Sequence, residues 1–225
     1  MIQGGDEWRQ AKLGKLGASK VHEALAKTKT GGWGAGRETV LSCLVLERLT
    51  GAPQDSYTSA AMLWGIETEP LARAAYEFHA DVDVDLAGFL DHTSIAMSGC
   101  SPDGLIGKVG MVEFKCPERP THLRTLLGAS IDGRYIKQMQ WQMSTTGRAW
   151  CDFASFDPRF PPEMQLHVRR VNRDDKLIAE LEREVSIFLE EVAETEAKLR
   201  RLYMTGESFF AQDLKKSVEM ERAGA

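Results

Sequence analysis

Asp103, Glu113 and Lys115 are the residues whose types and spacing point most directly to chemistry. They flank two short apolar segments joined by the glycine-bounded turn 107–110, a pattern typical of a β-hairpin. If the turn centres near Lys108, Asp103 and Glu113 lie opposite each other, with Cβ atoms about 4.5–5.5 Å apart. Because side chains alternate along a strand, Glu113 and Lys115 share one face. The sequence therefore predicts two carboxylates and one ammonium on one small patch, backed by apolar residues.

Such a patch has a specific chemical interpretation. Two carboxylates held this close repel each other unless a proton or a cation lies between them. Mg²⁺ prefers oxygen ligands and often binds through one or two carboxylates together with a substrate phosphate. Lys115 would then orient the attacking water and stabilise negative charge on phosphorus, and the glycine at 104 would let a phosphate backbone come close. The alternative is a surface hairpin with a Glu–Lys pair and an ordinary turn aspartate.

The composition is that of an ordinary globular protein. At 225 residues and 43% hydrophobic content, the chain is long enough for one large domain with a full core. We expect a single domain over 1–204 and a polar tail over 205–225. The sequence shows no N-terminal signal pattern and no apolar run long enough to cross a bilayer, which predicts a cytoplasmic location and no membrane contact. The cysteines are scattered without a C-x-x-C pair, which favours reduced thiols over a zinc site.

Charge is unevenly distributed along the chain. The formal net charge of −5 argues mildly against a nucleic-acid partner, yet the first fifty residues are rich in lysine and arginine. A basic channel on an acidic body is compatible with this pattern. The basic, glycine-rich loop 27–37 is too irregular for a nucleotide-binding Walker motif. Lys27 and Lys29 are candidates for contact with a DNA backbone, and a merely solvated loop is the alternative.

Hydrophobic periodicity predicts an α/β fold. Predicted helices span 5–13, 18–26, 38–49, 59–79, 120–127, 132–146 and 173–203, and predicted strands lie within 83–97, in the hairpin, at 148–156 and at 164–171. We expect a central mixed β-sheet of about five strands flanked by helices on both faces. The long last helix would pack on the core or on a neighbouring subunit. The hairpin patch would then lie at the centre of the fold.

A wider pattern surrounds the patch. The spacing Pro-Asp-x₉-Glu-x-Lys resembles the catalytic signature of the PD-(D/E)xK nuclease superfamily, whose core is restriction-endonuclease-like. The strings Ser-Pro-Asp-Gly at 101–104 and Val-Glu-Phe-Lys-Cys-Pro at 112–117 resemble, more narrowly, the lambda-exonuclease (YqaJ-type) viral recombinase family. The similarity continues in order through Trp8 to Ala18-Ser19, Trp64-Gly65 with Glu69, Gln138-Met139-Gln140, and Phe156-Asp157-Pro158-Arg159, and so covers roughly residues 6 to 170.

This resemblance implies a Mg²⁺-dependent exodeoxyribonuclease that digests one strand of duplex DNA from its 5′ end to mononucleotides and leaves a 3′ overhang. It also implies two metal ions, with Mn²⁺ able to substitute, a homotrimeric ring around the DNA end, and a single-strand annealing protein as recombination partner. Two other interpretations stay open. One is another nuclease on the same core, such as an endonuclease or a repair nuclease, and the other is a non-catalytic module that binds DNA ends.

The resemblance also assigns roles at the metal site. Asp103, Glu113 and the main-chain carbonyl of Phe114 match the family's metal ligands, and Glu69 matches the helix glutamate that completes the site. Gln140 matches a glutamine beside the attacking water. For Gln140 the alternative is a helix amide that packs against the sheet, since Gln138 and Gln142 share a different helix face. Pro70 lacks a backbone donor and is expected to bend the helix or start a fresh turn directly after Glu69.

Four further residues match the family's contacts to the DNA end. Lys12 stands where lambda exonuclease has an arginine that helps bind the 5′-terminal phosphate, and it lacks arginine's bidentate geometry. Ser19, at a predicted helix start, and Ser101 would add hydroxyl donors to the same phosphate. A solvated lysine and a helix cap are the alternatives for Lys12 and Ser19. Met62 falls where the family places an apolar wedge against the terminal base pair, and a buried core methionine is its alternative.

Overall fold

A computed structural model describes residues 3–54 and 59–204 of the chain. The helices are α1 (Asp6–Lys12), α2 (Ala18–Ala24), α3 (Ala35–Thr50), α4 (Ala60–Ala80), α5 (Arg119–Leu126), α6 (Gly133–Thr146) and α7 (Asp175–Met204). The strands are β1 (Leu16–Gly17), β2 (Leu90–Asp91), β3 (Ser98–Cys100), β4 (Gly104–Ile106), β5 (Gly110–Lys115), β6 (Trp150–Phe156) and β7 (Leu166–Asn172). The predicted α/β class with helix-flanked mixed sheets is confirmed. The predicted tail 205–225 lies outside the described residues.

The predicted hairpin is present as β4 and β5. These strands are antiparallel, with Gly104 opposite Val112, so that Asp103 directly precedes the paired segment at the position facing Glu113. The turn between them needs a left-handed residue, which Gly107 supplies at φ +51°. The hairpin therefore brings the two acidic positions together by its register alone.

The hairpin belongs to a four-stranded sheet with strand order β4-β5-β6-β7. Strands β5 and β6 are parallel, and the other neighbours are antiparallel. A second, three-stranded sheet has the order β1-β3-β2, with β1 parallel to β3. The strands are thus divided between two mixed sheets, whereas the sequence predicted one. The alternating segment 83–97 contributes only the two-residue β2 and an isolated bridge between Asp85 and Leu105.

The two faces of the four-stranded sheet are covered by different helices. Val112 and Phe114 pack with residues of α4 in one buried cluster. Met111 packs with Met139 and Met143 of α6 in another. Because side chains alternate along β5, Glu113 points to the α6 side with Met111. The predicted division of β5 into a core face and a polar face is therefore present. The polar face is covered by α6.

Packing within the protein explains the glycine at 104. A Cβ atom at this position would lie 2.2 Å from Val84 Cγ1 and 2.8 Å from Val112 Cγ1. Distances this short would force the neighbouring side chains to move. The space beside Gly104 is filled by valine, so the glycine does not provide the predicted approach path for a phosphate backbone.

Helix α4 runs without interruption from Ala60 to Ala80, although Pro70 lies inside it. Its start is capped by Ser59, whose Oγ accepts a hydrogen bond of 3.2 Å from Met62 N. The fresh turn predicted at Pro70 does not occur, because the helix continues on both sides and only one backbone donor is missing. Glu69 consequently keeps its place on one continuous helix.

The long helix α7 packs against its own chain. Its buried residues Leu181, Val185 and Phe188 join the cluster that contains residues of α2, α3 and Trp141 of α6. The apolar periodicity of 173–203 is thus satisfied within the protein.

None of the helices in the described part of the chain is long and apolar enough to cross a membrane.

Candidate active site

Glu113 is the centre of the site and is almost fully buried, at 1% exposure. Its Oε1 accepts hydrogen bonds from Gln138 Nε2, at 2.6 Å, and from Lys115 Nζ. Its Oε2 accepts a bond of 2.7 Å from Gln142 Nε2. Gln138 and Gln142 are one turn apart on α6, so the helix fixes both oxygens of the carboxylate. Such a carboxylate is held in one orientation before any ligand arrives.

Asp103 is held against the same strand by a hydrogen bond from the main chain. Its Oδ2 accepts from Phe114 N at 2.8 Å. Burial raises the pKa of Asp103 well above its ordinary value, and the charge of Glu113 raises it further. The two acidic groups therefore act on each other as the hairpin register predicts.

Glu69 joins this acidic group from helix α4. Burial raises its pKa, and the charge of Glu113 adds to the effect, while Lys115 partly opposes it. For Lys115, burial lowers the pKa of the ammonium, but the charges of Glu113 and Asp103 outweigh burial and leave the pKa above its ordinary value. One ammonium thus stands among three carboxylates, and it keeps its proton.

Asp103, Glu69 and Lys115, with Glu113 buried behind them, line a cleft of about 820 Å³. Its walls include Met62, Trp64 and Glu69 of α4, Asp103, Phe114 and Lys115 of the hairpin, Arg134 and Tyr135 of α6, and Arg159 from the loop after β6. Acidic groups thus meet cations and aromatic rings around one open space. A cleft of this size with convergent polar groups is where a ligand site is expected.

The acidic cluster fits a hard divalent cation by its chemistry. Asp103, Glu113 and Glu69 offer oxygen donors and carry more negative charge than Lys115 balances. Within residues 3–54 and 59–204, no three His, Cys, Asp or Glu side chains lie close enough together to hold a metal ion as they stand. Glu113 is near enough to raise the pKa of both Asp103 and Glu69, and Lys115 Nζ is bonded to Glu113 Oε1.

Gln140, the glutamine that the resemblance assigned to the site, points elsewhere. Its Nε2 donates to Asn172 O at 2.8 Å, and its Oε1 accepts from Asp174 N at 2.9 Å. Both ends of the amide are used to fix the start of α7, which is the packing alternative stated for this residue. Helix phase explains the difference, because residues two apart lie on opposite sides of a helix, and so the structure brings Gln138 and Gln142 to Glu113.

A pair of substitutions separates these glutamines. If the site is the nuclease site that the resemblance implies, Gln142→Met should lower the cleavage rate about tenfold or more, because the partner that orients Glu113 is lost. We expect Gln140→Met to cost about 1–3 kcal/mol in the free energy of unfolding, with the rate per folded molecule kept. Urea unfolding and initial rates on linear duplex DNA measure the two effects. A large loss of rate in fully folded Gln140→Met would return the catalytic role to Gln140.

Two of the three residues predicted to bind the 5′ phosphate, Lys12 and Ser101, contact Trp8. Trp8 Nε1 donates to Ser101 Oγ at 2.8 Å, and Lys12 Nζ lies 4.0 Å from the centre of a Trp8 ring. Ser19 is exposed near the start of α2. That helix follows Gly17, which pairs with Gly99 just before Ser101 along the chain. The structure therefore joins Lys12 and Ser101 through Trp8, and it places Ser19 on the adjoining element.

The remaining predicted DNA contacts are dispersed. Lys27 Nζ pairs with Glu184 Oε2 at 3.3 Å, and Lys29 is exposed in the same loop. Neither lysine lines the cleft. Met62 does line it and is 51% exposed, which excludes the core alternative for this methionine.

Arg134, Tyr135 and Arg159 line the cleft, although the sequence assigns them no role. Arg134 lies with its guanidinium carbon 4.6 Å from the Tyr135 ring, and Lys115 Nζ lies 4.9 Å from the same ring. Arg159 was noticed as part of a motif but given no role. Helical spacing carried a signal for Arg134, because it precedes Gln138 by one turn and so shares its face. Tyr135 carries the same signal at a spacing of three residues, whereas Arg159 could be placed only by the tertiary fold.

Comparisons with known proteins identify the family of this chain. The YqaJ-like viral recombinase domain matches residues 7–149. The crystal structure of LHK-Exo in complex with dAMP has 45% sequence identity and a TM-score of 0.82, covering 88% of this chain and 97% of that one. A structure of the alkaline exonuclease LHK-Exo from Laribacter hongkongensis has 44% identity, with the same TM-score and coverage.

A more distantly related structure shares the fold of this chain. A phage-related exonuclease from Haemophilus somnus 129PT has 13% identity and a TM-score of 0.63, covering 82% of this chain and 96% of that one. No curated protein matches the sequence. The fold is that of the PD-(D/E)xK nucleases, as the resemblance predicted. The matched domain and the 45% identity together show that this chain belongs to the YqaJ-like viral recombinase family.

Proposed function

We propose that this protein is a Mg²⁺-dependent exodeoxyribonuclease that removes mononucleotides from the 5′ end of one strand of linear duplex DNA and leaves a 3′ overhang. The observation that supports this most strongly is the hairpin register, which places Asp103 opposite the buried Glu113, with Asp103 and Lys115 on the wall of an open cleft. The family adds support, because LHK-Exo is an alkaline exonuclease. The dAMP in one of its crystal structures is a deoxynucleoside monophosphate, the class of product that such a reaction releases.

Four groups would hold the metal. They are the carboxylates of Asp103, Glu113 and Glu69 and the main-chain carbonyl of Phe114. The family resemblance implies two ions, with Mn²⁺ as a substitute. When bound, such ions polarise the phosphate and lower the pKa of water. Gln138 and Gln142 keep Glu113 in place throughout. These contacts are available before DNA binds.

Lys115 acts as a cation in this proposal. Its raised pKa keeps the ammonium protonated, so it orients the attacking water and stabilises the charge that develops on the phosphate. Attack of water on phosphorus breaks the bond to the 3′ oxygen, which leaves as the hydroxyl of the released nucleotide. The phosphate stays on the next nucleotide and becomes a new 5′ terminus. Each cycle therefore regenerates the phosphorylated end that the next cycle recognises.

Lys12, Ser19 and Ser101 would hold that terminal phosphate. We expect Lys12→Ala to lower the rate on 5′-phosphorylated duplexes about tenfold or more, because one charge-assisted contact is lost. The rate on 5′-hydroxyl duplexes should change little, and these substrates serve as the internal control. Initial rates on the two kinds of end measure the difference. Equal losses on both would show that Lys12 does not read the phosphate.

The reaction itself is tested with end-labelled and circular substrates. The proposal predicts early release of label from 5′-labelled linear duplex, late release from 3′-labelled duplex, and intact closed circles. The release should require Mg²⁺ and stop on its removal with EDTA. Cutting of closed circles would favour an endonuclease on the same core. Binding of ends without cleavage, whatever the cation, would favour a non-catalytic end-binding module.

The proposal extends to assembly. A homotrimeric ring would enclose the DNA end, and a single-strand annealing protein would take over the 3′ overhang. Exposed apolar side chains on α4 give a surface for subunit contact, since Leu71 is 55% and Phe78 is 91% exposed. Light scattering should give a mass about three times that of the 25.0 kDa chain.

A further inference from the structure

Arg159 is held in one orientation by a buried aspartate. Asp157 follows β6 and is fully buried. Arg159 Nε donates to Asp157 Oδ1 and its Nη2 donates to Oδ2, each at 2.7 Å, and the backbone N of Arg159 also donates to Oδ1, at 3.0 Å. A bidentate pair of this kind fixes the plane of the guanidinium as well as its position.

A second contact directs Arg159 into the cleft. Its guanidinium carbon lies 4.2 Å from the centre of a Trp64 ring, on the helix that also carries Glu69. The side chain is 32% exposed and forms part of the cleft wall. Its Nη1 makes no hydrogen bond within the described residues. Arg159 thus presents N–H donors to the cleft while one edge is bound to Asp157 and one face to Trp64.

Arg159 differs from the other arginine of the cleft. The side chain of Arg134 is 54% exposed and is paired with Asp132, itself 54% exposed, at 3.3 Å. Holding a long exposed side chain still costs conformational entropy when a ligand binds. Arg159 has already lost most of this conformational entropy in the folded protein, because Asp157 is buried and the guanidinium is stacked on Trp64. A preorganised donor on a cleft wall is suited to a phosphate oxygen.

We propose that Arg159 binds a backbone phosphate of the DNA strand that enters the cleft, with Asp157 and Trp64 as the residues that position it. This inference rests on the proposed function for the identity of the ligand. Its free donors face the same cleft as Asp103, Glu69 and Lys115, so the phosphate it binds belongs to the strand being cleaved. The contact places that strand and does not take part in bond breaking.

The chain contains a matched control for this residue. Arg170 forms the same bidentate pair with another buried aspartate, Asp152, at 2.8 and 2.9 Å. Its guanidinium carbon also lies 3.6 Å from a tryptophan ring, that of Trp150. Arg170 does not line the cleft. Arg159→Gln and Arg170→Gln therefore remove the same charge and break the same kind of buried pair, at two different places.

The experiment measures binding of a short 5′-phosphorylated duplex in EDTA as a function of salt, together with kcat and KM in Mg²⁺. We expect Arg159→Gln to weaken binding about tenfold or more and to reduce the slope of log affinity against log salt by about 0.9, as loss of one phosphate contact requires. KM should rise more than kcat falls. Arg170→Gln should match wild-type protein in both the affinity and the slope.

Two further variants separate binding from folding. The double variant Asp157→Asn/Arg159→Gln leaves no unpaired buried carboxylate, so it guards against a loss of folding, and it should show the same reduced slope. Arg159→Lys keeps the charge without the planar fork and should keep the slope with weaker binding. An unchanged affinity and slope in folded Arg159→Gln would overturn the inference even if wild-type protein cleaves DNA. If the protein binds DNA with a salt slope that depends on Arg159 but does not cleave it, the inference about Arg159 holds and the proposed function is wrong.

Discussion

Replacing Lys115 with alanine is expected to abolish DNA cleavage, with a loss on the order of 10²–10³-fold in kcat. Lys115 is the ammonium that stands among Asp103, Glu113 and Glu69, and its raised pKa keeps it charged where negative charge develops on phosphorus. Glu113 keeps its bonds from Gln138 and Gln142, so the carboxylate stays in position without the lysine. The Lys115→Ala variant should therefore lose activity and remain folded.

Single-turnover rates at saturating Mg²⁺ measure this effect, and thermal unfolding in the same buffer checks that the variant is folded. Lys108→Ala is the matched control, because Lys108 lies exposed at the turn of the same hairpin. It should cleave at the wild-type rate. Residual activity above about a tenth of wild type in a folded Lys115→Ala protein would remove the role given to the ammonium.

Asp103→Asn is expected to lose activity to a similar extent, on the order of 10³-fold, because one metal ligand is weakened. It should also be more stable than wild type in EDTA at pH 8. Burial and the neighbouring Glu113 raise the pKa of Asp103 in the folded protein, so the folded state holds this proton more tightly than the unfolded state does. Wild-type stability therefore falls as the pH rises from the ordinary aspartate value, about 3.9, through the raised value.

The Asp103→Asn variant does not lose stability in this way, because it has no charge to bury. Its amide oxygen can still accept the bond from Phe114 N. Its advantage over wild type should be present at pH 8 and absent below about pH 4. Adding Mg²⁺ should stabilise wild type and leave the variant unchanged, because only the ligand-complete site gains binding energy. Melting temperatures with and without Mg²⁺ at both pH values provide the measurement. A wild-type melting response to Mg²⁺ in the variant would contradict the assignment of Asp103.

Asp152→Asn supplies the contrast for that experiment. Asp152 is also buried, but it is bonded to Tyr76 and to Arg170. Removing its charge leaves Arg170 without its partner, so this variant should lose stability at pH 8, with the same loss whether or not Mg²⁺ is present. At pH 8 we expect Asp103→Asn to gain stability and Asp152→Asn to lose it. These opposite changes distinguish a ligand site from a structural ion pair.

The local parts of the site could be predicted from the sequence. The hairpin register depends on a glycine-bounded turn and on strand alternation, both of which are visible in a few residues, so Asp103 and Glu113 fell opposite each other as expected. Glu69 and the group around Trp8 come from distant segments and were found through the family resemblance. Their placement needs the packing of α4 and of the small sheet, which no local pattern encodes.

The parts that could not be predicted depend on helix phase and on packing. Alignment indicated Gln140, but the angular position on α6 brings Gln138 and Gln142 to Glu113. Gly104 was interpreted as room for a phosphate, whereas Val84 fills that space. For Pro70 the sequence predicts a bend or a fresh turn, and the fresh turn does not occur because the helix tolerates one missing donor. For the glutamines and Gly104, the deciding contact is with a residue distant in the sequence.

The site is built at a cost to stability. Three carboxylates share a partly buried region with one ammonium, and the raised pKa values of Asp103 and Glu69 express that unfavourable arrangement. Groups arranged only to stabilise a fold would be paired, as Asp152 is with Arg170. An unbalanced cluster at the wall of an open cleft is instead typical of a site that a ligand completes.

Anomalous diffraction from crystals soaked in Mn²⁺ would show whether the hairpin carboxylates hold a metal ion. We expect a peak between the carboxylates of Asp103 and Glu113, within about 2.0–2.6 Å of their oxygens, beside the main-chain carbonyl of Phe114. The peak should be absent from Asp103→Asn crystals soaked in the same way. Density for the ion elsewhere on the protein, with these two carboxylates left without it, would contradict the account.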